Sequence, residues 1–571
     1  MKSKKVLAVI LALVATVTLS LTACNSNQPA SSASSPSSSA PASNSPEAPA
    51  PSDTAAGTAS LAQQIYQTSK DTIATLQSEI DPNAVSSRDT FTFGALVDPG
   101  KISLDNMLDL TTNPMVTSSL QYLLQWDPKV GTYVSDVCES YALDADQLGV
   151  TFHIKPGIMM NDGNTLGAQD IITSIEAFRA HNGLGWQLDF VDLDSSKIID
   201  PLTLDLRFKE INGVWEVRFE MLTLISGKAY DAVGGDESFY QAPVGPQAYD
   251  VTEWVPGDHI TFTRFDNFFL GKPLIKTMVC KIISDETAAF MALQNGDIDL
   301  LWNLNAEQVQ SAYKSDSLNI FSTGTNYMIY MAMNCANKAL SDFRVRQAIY
   351  MAINRQDIID GAYDGLSTFA YSILTPETIG YNKDYETNSP FPPNDIDKAK
   401  QLMADAGYGD GLNLRILAQS TNDYQLMVEM LSAQLSQIGI TLTPTLGDYA
   451  TVSGIIFSGD TSGYDIFLQS VEVAGDGIGT IDNPMLFGAS HPELSSDGSG
   501  DALNAIYRQI ETTTDLAQRT QYYKDLQAFF FEKGLYWVPM SICQTYVGLT
   551  KDLTGLRPRS FQIYFNQAYF K

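Results

Sequence analysis

The pattern of apolar and polar positions predicts strands and helices that alternate from about residue 88 onward. Five segments have the two-residue period of a half-buried strand. They are residues 90–96, 151–155, 202–208, 259–265 and 327–334. Short strands of this kind, separated by helical segments, favour an α/β fold over an all-β sandwich.

Helices are predicted where apolar residues recur every three or four positions. Asp342 is a plausible N-cap for a helix whose buried stripe begins at Val345. The segment 395–406 is predicted to end at Gly407, and 427–438 at Gly439, before a strand over 440–446. Residues 61–80 predict a further short helix. The order of elements predicts α/β domains with open, mixed sheets.

The first residues have the features of a secretory signal. Lysines at positions 2, 4 and 5 precede the apolar stretch 6–21, which is short for a transmembrane helix. The following Leu21-Thr22-Ala23-Cys24 is similar to the lipobox of bacterial lipoproteins. We therefore expect residues 1–23 to be removed and Cys24 to be acylated, for example with palmitate. An uncleaved anchor or an ordinary secretory signal are the alternatives.

Residues 24–60 are predicted to form a disordered tether behind the lipidated cysteine. Between residues 25 and 60 there are 12 Ser, 9 Ala and 6 Pro. Such a segment buries too little apolar area to offset its ordering entropy. The predicted short helix then falls within a segment 61–88 of unassigned role.

Composition excludes some classes of function. The chain has 571 residues and a formal net charge of −30, which argues against nucleic-acid binding and against charge-driven docking on anionic lipid. Four cysteines follow the tether: Cys138, Cys280, Cys335 and Cys543. They form no CxxC pair, so a zinc or redox site is not indicated, and their pairing stays open.

Catalytic motifs are missing from the sequence. It contains no GxSxG, no P-loop and no HExxH, and its four histidines lack metal-ligand spacing. Several Asp-x-Asp pairs occur, such as Asp297 and Asp299, but none continues as a calcium loop. A secreted hydrolase with a carboxylate pair is the weaker alternative. We expect no enzyme activity, no cofactor and no metal.

From about residue 89 to 571, the sequence resembles the family 5 bacterial extracellular solute-binding proteins. The resemblance is carried by blocks that occur in the family's order. They are Ser103-Leu104-Asp105, residues 150–157, Asn161-Asp162-Gly163, residues 168–171, Pro243-Val244-Gly245 with Tyr249, residues 289–299, residues 344–349 with 352–355, residues 399–407 and residues 434–440. The sequence departs from the pattern where Asn106 replaces a proline.

The resemblance implies a two-lobed periplasmic-binding-protein fold (type II, cluster C) with an extra subdomain in the first lobe. Lobe I would comprise residues 89–133, 241–323 and 537–571, and the inserted subdomain 134–240. Lobe II would span 324–536, with hinge strands near 322–326 and 537–539. The family's motifs identify this fold and say little about the solute, because Gly296, Asp342, Arg344 and Arg346 are expected to have structural roles.

The same resemblance implies the receptor of an ABC importer, which captures a solute by hinge closure and delivers it to a permease and ATPase complex. An oligopeptide or dipeptide is the first expectation. Oligosaccharides, metal chelates and a role in sensing peptide signals stay open. We expect a monomer held by its lipid on the extracytoplasmic face of the cell membrane, at a Gram-positive cell surface.

Site residues follow from the resemblance alone. The loop with Thr112, Asn113 and Met115 corresponds to a family loop that reaches the cleft. In peptide binders an acid after a Tyr-Asp strand pairs with the peptide's amino terminus. Here the candidates are Glu472 and Asp476, and the latter is preferred because Gly475 and Gly477 leave its backbone free to approach a ligand. Solvent-facing acids are the alternative. Trp302 is expected either to line the cleft or to pack in a core.

Overall fold

The structure is a computed structural model of the chain. It describes residues 60–81, 83–103, 113–127, 130–181, 185–457, 461–473, 475–478, 500–559 and 562–571. The predicted signal, Cys24 and nearly all of the tether lie outside these residues, and so does Thr112.

Helices and strands alternate as the sequence pattern predicts. The α-helices are α1 Leu61–Ser78, α2 Asn113–Ser119, α3 Ala168–His181, α4 Trp215–Glu220, α5 Gly227–Ala232, α6 Glu286–Asn295, α7 Ala306–Tyr313, α8 Phe343–Ala352, α9 Arg355–Tyr363, α10 Ile396–Asp405, α11 Asn422–Ser436, α12 Tyr449–Phe457, α13 Gly500–Thr512 and α14 Leu516–Phe529. Short 3₁₀ turns cover Gly185–Leu188, Glu237–Gln241 and Lys383–Glu386, and a π turn covers Phe530–Gly534.

The strands range from two to sixteen residues. They are β1 Thr90–Ala95, β2 Gln121–Tyr122, β3 Gln125–Asp127, β4 Thr132–Val134, β5 Cys138–Leu143, β6 Gly149–Ile154, β7 Val191–Asp200, β8 Thr203–Phe208, β9 Thr223–Leu224, β10 Tyr249–Val255, β11 His259–Arg264, β12 Thr277–Ile282, β13 Leu300–Trp302, β14 Leu318–Met333, β15 Thr368–Phe369, β16 Leu412–Gln419, β17 Ile440–Gly447, β18 Ile466–Val473, β19 Trp537–Thr550, β20 Leu553–Thr554, β21 Arg557–Arg559, β22 Gln562–Tyr564 and β23 Tyr569–Phe570.

One mixed sheet runs through the described structure. Its order is β10-β11-β12-β1-β13-β19-β14-β18-β16-β17, and β15 pairs with β19. Strand β1 is parallel to both of its neighbours, β12 and β13, whereas β14 is antiparallel to β18 and β19. The predicted fold class, an α/β protein with a mixed sheet, is confirmed.

Two large hydrophobic cores divide this structure into two lobes. The first contains β1, α2 and the elements between residues 137 and 280, and the second contains α8, α11 and β18. The long strands β14 and β19 both carry side chains into the two large cores: Phe321 and Val547 pack in the first, and Met328 and Trp537 in the second. These two strands therefore form the connection about which the lobes can turn.

The hinge strands pair irregularly at the point where they pass between the cores. Their register shifts between Ser322 and Asn326, as the predicted hinge position requires. In β19, however, Trp537 and Val538 pack in the second core, and the first core begins at Val547. The crossing in β19 thus lies later than the predicted hinge at 537–539. The other sequence-based lobe boundaries stay predictions.

A separate antiparallel sheet, β5-β6-β8-β7, lies within the residues predicted to form the inserted subdomain. Helix α4 lies beside it and buries Trp215 and Phe219 against Phe152, with ring centroids 6.4 and 6.1 Å apart. These aromatic contacts fix the orientation of the short helix, because six residues are too few to be stable alone. The preceding residue, Val214, packs in the second core instead. The start of α4 therefore touches both lobes.

Several local sequence predictions are confirmed. Asp342 caps α8, and its side chain accepts a hydrogen bond from the Arg344 amide. Gly296 ends α6 with a φ of 77°. Arg344 pairs with Asp342, while the buried Arg346 donates to backbone carbonyls, including that of Gly534. These residues hold the framework together. Across the described chain, no helix has the length and apolar character needed to cross a bilayer.

Candidate functional site at the contact between the lobes

The second lobe contributes a buried ion pair beside the loop that follows β18. Asp476 is only 1% exposed. Its Oδ2 accepts a hydrogen bond of 2.9 Å from Nη2 of Arg519 in α14, and its Oδ1 accepts from the hydroxyl of Tyr523. Burial and the nearby Asp476 charge raise the pKa of Tyr523 well above its usual value. Both carboxylate oxygens of Asp476 are therefore engaged within this lobe.

The first lobe meets this ion pair with the residues before α4. The Gly213 amide donates to the carbonyl of Glu511, 2.6 Å away. Arg519 donates through Nη1 to the Gly213 carbonyl and, at 3.0 Å, to the carbonyl of Thr513. Arg218 lies 3.6 Å from the Glu511 carboxylate. The lobes thus touch through backbone and side-chain hydrogen bonds, as in a closed clamp.

Glu216 projects from α4 toward the same ion pair. Its Oε1 accepts a hydrogen bond of 3.1 Å from the Tyr141 hydroxyl, and it forms no ion pair with any residue that the structure describes. Burial raises the pKa of Glu216; the hydrogen bond from Tyr141 and the charge of Arg519 oppose this rise, and the charge of Asp476 adds to it. A half-buried carboxylate without a cation is an unfavourable arrangement that a bound cation would relieve.

Aromatic side chains complete this side of the site. Trp126 and Tyr133, on the hairpin of β3 and β4, pack edge to face at a centroid distance of 5.3 Å. Burial raises the pKa of the Tyr133 hydroxyl well above its usual value, and the carboxylates of Glu220, Asp476 and Glu216 raise it further. The described site therefore combines apolar ring surfaces with more carboxylates than free cations, since Arg218 pairs with Glu511.

Comparison with known proteins identifies the family. Residues 132–470 match the model of the bacterial extracellular solute-binding proteins, family 5. The chain belongs to this family. Members of this family are transport receptors rather than enzymes.

The relatives of this family 5 protein are distant in sequence and close in fold. The glutathione-binding protein GsiB of Salmonella paratyphi A is 23% identical over 437 residues, which covers 73% of this chain and 82% of that protein. The substrate-binding protein CtaP of Listeria monocytogenes has a TM-score of 0.74 at 22% identity, over 85% of this chain and 99% of its own. A dipeptide-binding protein of Pseudoalteromonas sp. SM9913, in complex with Met-Leu, has a TM-score of 0.73 at 18% identity, over 84% and 100% of the two chains.

Two of the predicted site residues of this family 5 protein lie at the contact between the lobes. Asp476 is part of the buried ion pair, and Gly475 has a φ of 53°. A Cβ on Gly475 would lie 3.2 Å from the Tyr133 hydroxyl and 3.4 Å from the Trp126 ring. A side chain would therefore crowd the opposite lobe, which is a stronger reason for glycine than backbone freedom alone.

The other predicted contacts are not assembled there. Met115 and Trp302 are fully buried in the core of the first lobe, on α2 and β13. Trp302 therefore packs in a core, as in the second of its two predicted placements, and core packing likewise accounts for the burial of Met115. A cleft-lining role for either residue stays a prediction. Glu472 belongs to β18, where it pairs with Tyr327, and Asn113 begins α2; their side chains are not described.

Sequence reasoning missed Glu216 and Tyr133 of the first lobe and Arg519 of the second. These three residues lie in none of the blocks that carry the family resemblance. Each is one acid, tyrosine or arginine among many, and only the contact of the second lobe with α4 and with the β3–β4 hairpin brings them together. No local pattern distinguishes them.

Metal and disulfide chemistry receive no support from the described residues. They contain no group of three or more His, Cys, Asp or Glu side chains that could hold a metal ion. All four described cysteines are free thiols. Described cavities of about 460 and 450 Å³ lie elsewhere, beside Asp170 and beside Trp254. We place the site at the contact between the lobes because buried charges from both lobes converge there.

Proposed function

We propose that this protein is the extracytoplasmic receptor of an ABC importer and that it captures a peptide, or another solute with a free amine, between its lobes. The observation that carries the proposal is the acid-rich contact between the lobes. Asp476 already pairs with Arg519 there, whereas Glu216 has no described cation. A primary ammonium would neutralise the latter carboxylate as the lobes close.

Glu216 is a better candidate than Asp476 for direct contact with the ammonium. An ammonium at Asp476 would have to displace the Arg519 guanidinium or the Tyr523 hydroxyl. We infer that Asp476 instead positions Arg519. The Nε of that arginine is buried and has no hydrogen-bond partner among the described residues, so it is suited to donate to a carbonyl of the solute.

A peptide meets both requirements in adjacent groups, because its terminal ammonium and first carbonyl are separated by a single Cα. The rings of Trp126 and Tyr133 would then pack against a side chain of the peptide. The relatives support this class of solute, since one is named for glutathione and another is in complex with a dipeptide.

The partners follow from the family. A permease and ATPase complex would receive the solute from the closed protein. Cys24 would carry the lipid that holds the protein on the outer face of the membrane, as the sequence Leu21-Thr22-Ala23-Cys24 predicts. A sensing role for the same receptor would use the same site, and an oligosaccharide or metal chelate would not need Glu216.

A thermal-shift screen tests the proposal. The mature protein without its lipid is mixed with di- to octapeptides, with sugars and with metal chelates. A solute that binds only the folded state raises the melting temperature. We expect free-amine peptides to do so and N-acetylated peptides to be much weaker. A shift with sugars or chelates, and none with peptides, would overturn the peptide proposal.

Glu216→Gln tests the role of the carboxylate. We expect it to reduce the affinity for free-amine peptides by ~10- to 100-fold, as loss of a charge-assisted bond of about 1.5–3 kcal/mol would. Binding of N-acetylated peptides should change little. Glu139→Gln, at an exposed position of the same subdomain, is the matched control. Equal losses for free and acetylated peptides would remove Glu216 from this role.

A further inference from the structure

Helix α1 begins at a well-defined cap ahead of the two lobes. The Ser60 hydroxyl accepts a hydrogen bond from the Gln63 amide, 3.2 Å away, and the Gln63 side chain accepts one from the Ser60 amide, 3.0 Å away. This capping box fixes the first residue of the helix. The three buried residues of α1 are Ile65, Ser69 and Leu76, and each packs against a different part of the structure.

The end of α1 is attached to the first lobe. Leu76 is buried in the first core. Just beyond the helix, Glu79 forms an ion pair of 2.8 Å with Lys571 and accepts a hydrogen bond from the Thr554 hydroxyl. The Tyr569 hydroxyl also donates to the Glu79 carbonyl, at 3.1 Å. The C-terminal strands therefore hold this end of the helix in place.

The middle of α1 lies on the hinge strand β14. The Ser69 Oγ accepts a hydrogen bond of 2.5 Å from the backbone amide of Ser322. Ser322 is the residue at which the pairing of β14 with β19 becomes irregular. One turn earlier, Ile65 packs in a third, smaller core with Ile320 and Tyr546, which lie on the two hinge strands. The helix thus contacts the hinge strand β14 at one of the two places where its pairing with β19 is irregular.

The start of α1 reaches a turn of the second lobe. This turn, residues 364–366, connects α9 to β15. A Cβ built on Gly365 would lie 3.8 Å from the Cβ of Ala62, and Leu366 packs against the same small core as Ile65. The helix therefore touches the first lobe, the hinge and the second lobe in order along its length.

We propose that α1 is a brace across the hinge that stabilises the closed arrangement of the lobes. The contact between Ala62 and the turn 364–366 exists when the lobes touch through Gly213 and Glu511. A contact made in one arrangement shifts the equilibrium toward that arrangement. The tether predicted before Ser60 would join the molecule at this brace. This inference rests on the proposed function, in which the two lobes close around a solute.

The test compares two identical substitutions on one helix. Ala62→Glu places a carboxylate against the turn that contains Asp364, close to Asp360, which lies 4.0 Å from the Cβ position of Gly365. Ala74→Glu puts the same side chain at an exposed position of α1. Small-angle X-ray scattering then gives the radius of gyration of each protein, with and without a saturating peptide from the thermal-shift screen.

We expect Ala62→Glu to increase the radius of gyration without peptide and to weaken peptide affinity by ~3- to 10-fold, as a shifted equilibrium requires. Saturating peptide should restore the wild-type radius, and Ala74→Glu should match wild type throughout. Ala62→Lys, which replaces the repulsion from Asp360 and Asp364 by attraction, should open the lobes less. If Ala62→Glu and Ala74→Glu have the same radius of gyration without peptide, the proposed role of α1 as a brace is wrong. A wild-type protein that no solute closes would instead refute the proposed function.

Discussion

The closest approach between the lobes leads to a sharp prediction for Gly213→Ala. A Cβ on this residue would lie 2.0 Å from the carbonyl oxygen of Thr513, where an ordinary contact needs at least 3.4 Å. The lobes would have to separate by about 1.4 Å at this point. The clash is with backbone atoms, so no side-chain rotation can relieve it. Closure, and not the folding of either lobe, should be impaired.

The magnitude follows from the bonds that such a separation breaks. The hydrogen bond from the Gly213 amide to the Glu511 carbonyl is 2.6 Å long, and a net contribution of about 1 kcal/mol is typical. The hydrogen bond from the Arg519 guanidinium to the Gly213 carbonyl is charge-assisted, and such bonds contribute about 1.5–3 kcal/mol to the stability of the contact. Loss of both would weaken solute binding by about 2.5–4 kcal/mol, or ~70- to 900-fold. Relaxation of the loops recovers part of this, so we expect the lower end.

Isothermal titration calorimetry with a peptide that binds the wild type measures the effect. Gly463→Ala is the matched control, since no atom lies within 4 Å of its added Cβ. The melting temperature of solute-free Gly213→Ala should stay close to that of wild type. Wild-type affinity in Gly213→Ala would refute the closed contact between the lobes as the state that binds solute.

Three further predictions concern buried groups. Asp476→Asn should lower the free energy of unfolding by about 3 kcal/mol in urea titrations, because it leaves the Arg519 guanidinium without its carboxylate; an unchanged midpoint would contradict this. Folding raises the pKa of Glu216 above 4.5. Without solute, the folded state therefore loses stability relative to the unfolded state as pH rises above that value. Glu216→Gln should remove this loss in melting curves measured between pH 4 and 8. Peptide affinity of the wild type should fall as pH drops through the raised pKa, and a flat profile would argue against the pairing. Cys280 is a fully buried free thiol whose pKa burial raises well above its usual value, so reductant should leave the melting temperature unchanged and iodoacetamide should modify this residue only after unfolding.

Local sequence patterns were sufficient to predict much of the fold. The cap at Asp342, the left-handed Gly296 and the helix α1 all appear where the pattern places them. Each depends on contacts within a few residues, or on a hydrophobic stripe that any core would bury. The irregular pairing of β14 begins at Ser322, inside the predicted hinge segment, and in β19 the predicted hinge residues Trp537 and Val538 pack in the second core. These apolar residues could pack in either core, so the sequence leaves the crossing point in β19 open.

Only part of the candidate site could be predicted from the sequence, and the reason is different. Asp476 could be singled out because the family's pattern directs attention to the loop after β18. Glu216 could not, since an acid on a short helix is unremarkable until that helix is packed against another lobe. Residues that meet across a hinge are separated by hundreds of positions in the chain. Their sequence neighbours indicate how each residue packs within its own lobe, and not which residue of the other lobe it will contact.

This difference also explains why family membership does not determine the solute. The mixed sheet, the hinge strands and the framework residues Arg344 and Arg346 support a two-lobed fold whatever solute it binds. Specificity depends on the few side chains that both lobes bring to the contact, and here they include a carboxylate on α4 with no described cation and a guanidinium held by Asp476. In the proposed site, a solute that supplies an ammonium and a carbonyl at adjacent positions gains most from closure. A solute without the amine would leave Glu216 unpaired or protonated, so we expect the contact to select against it even when its shape fits.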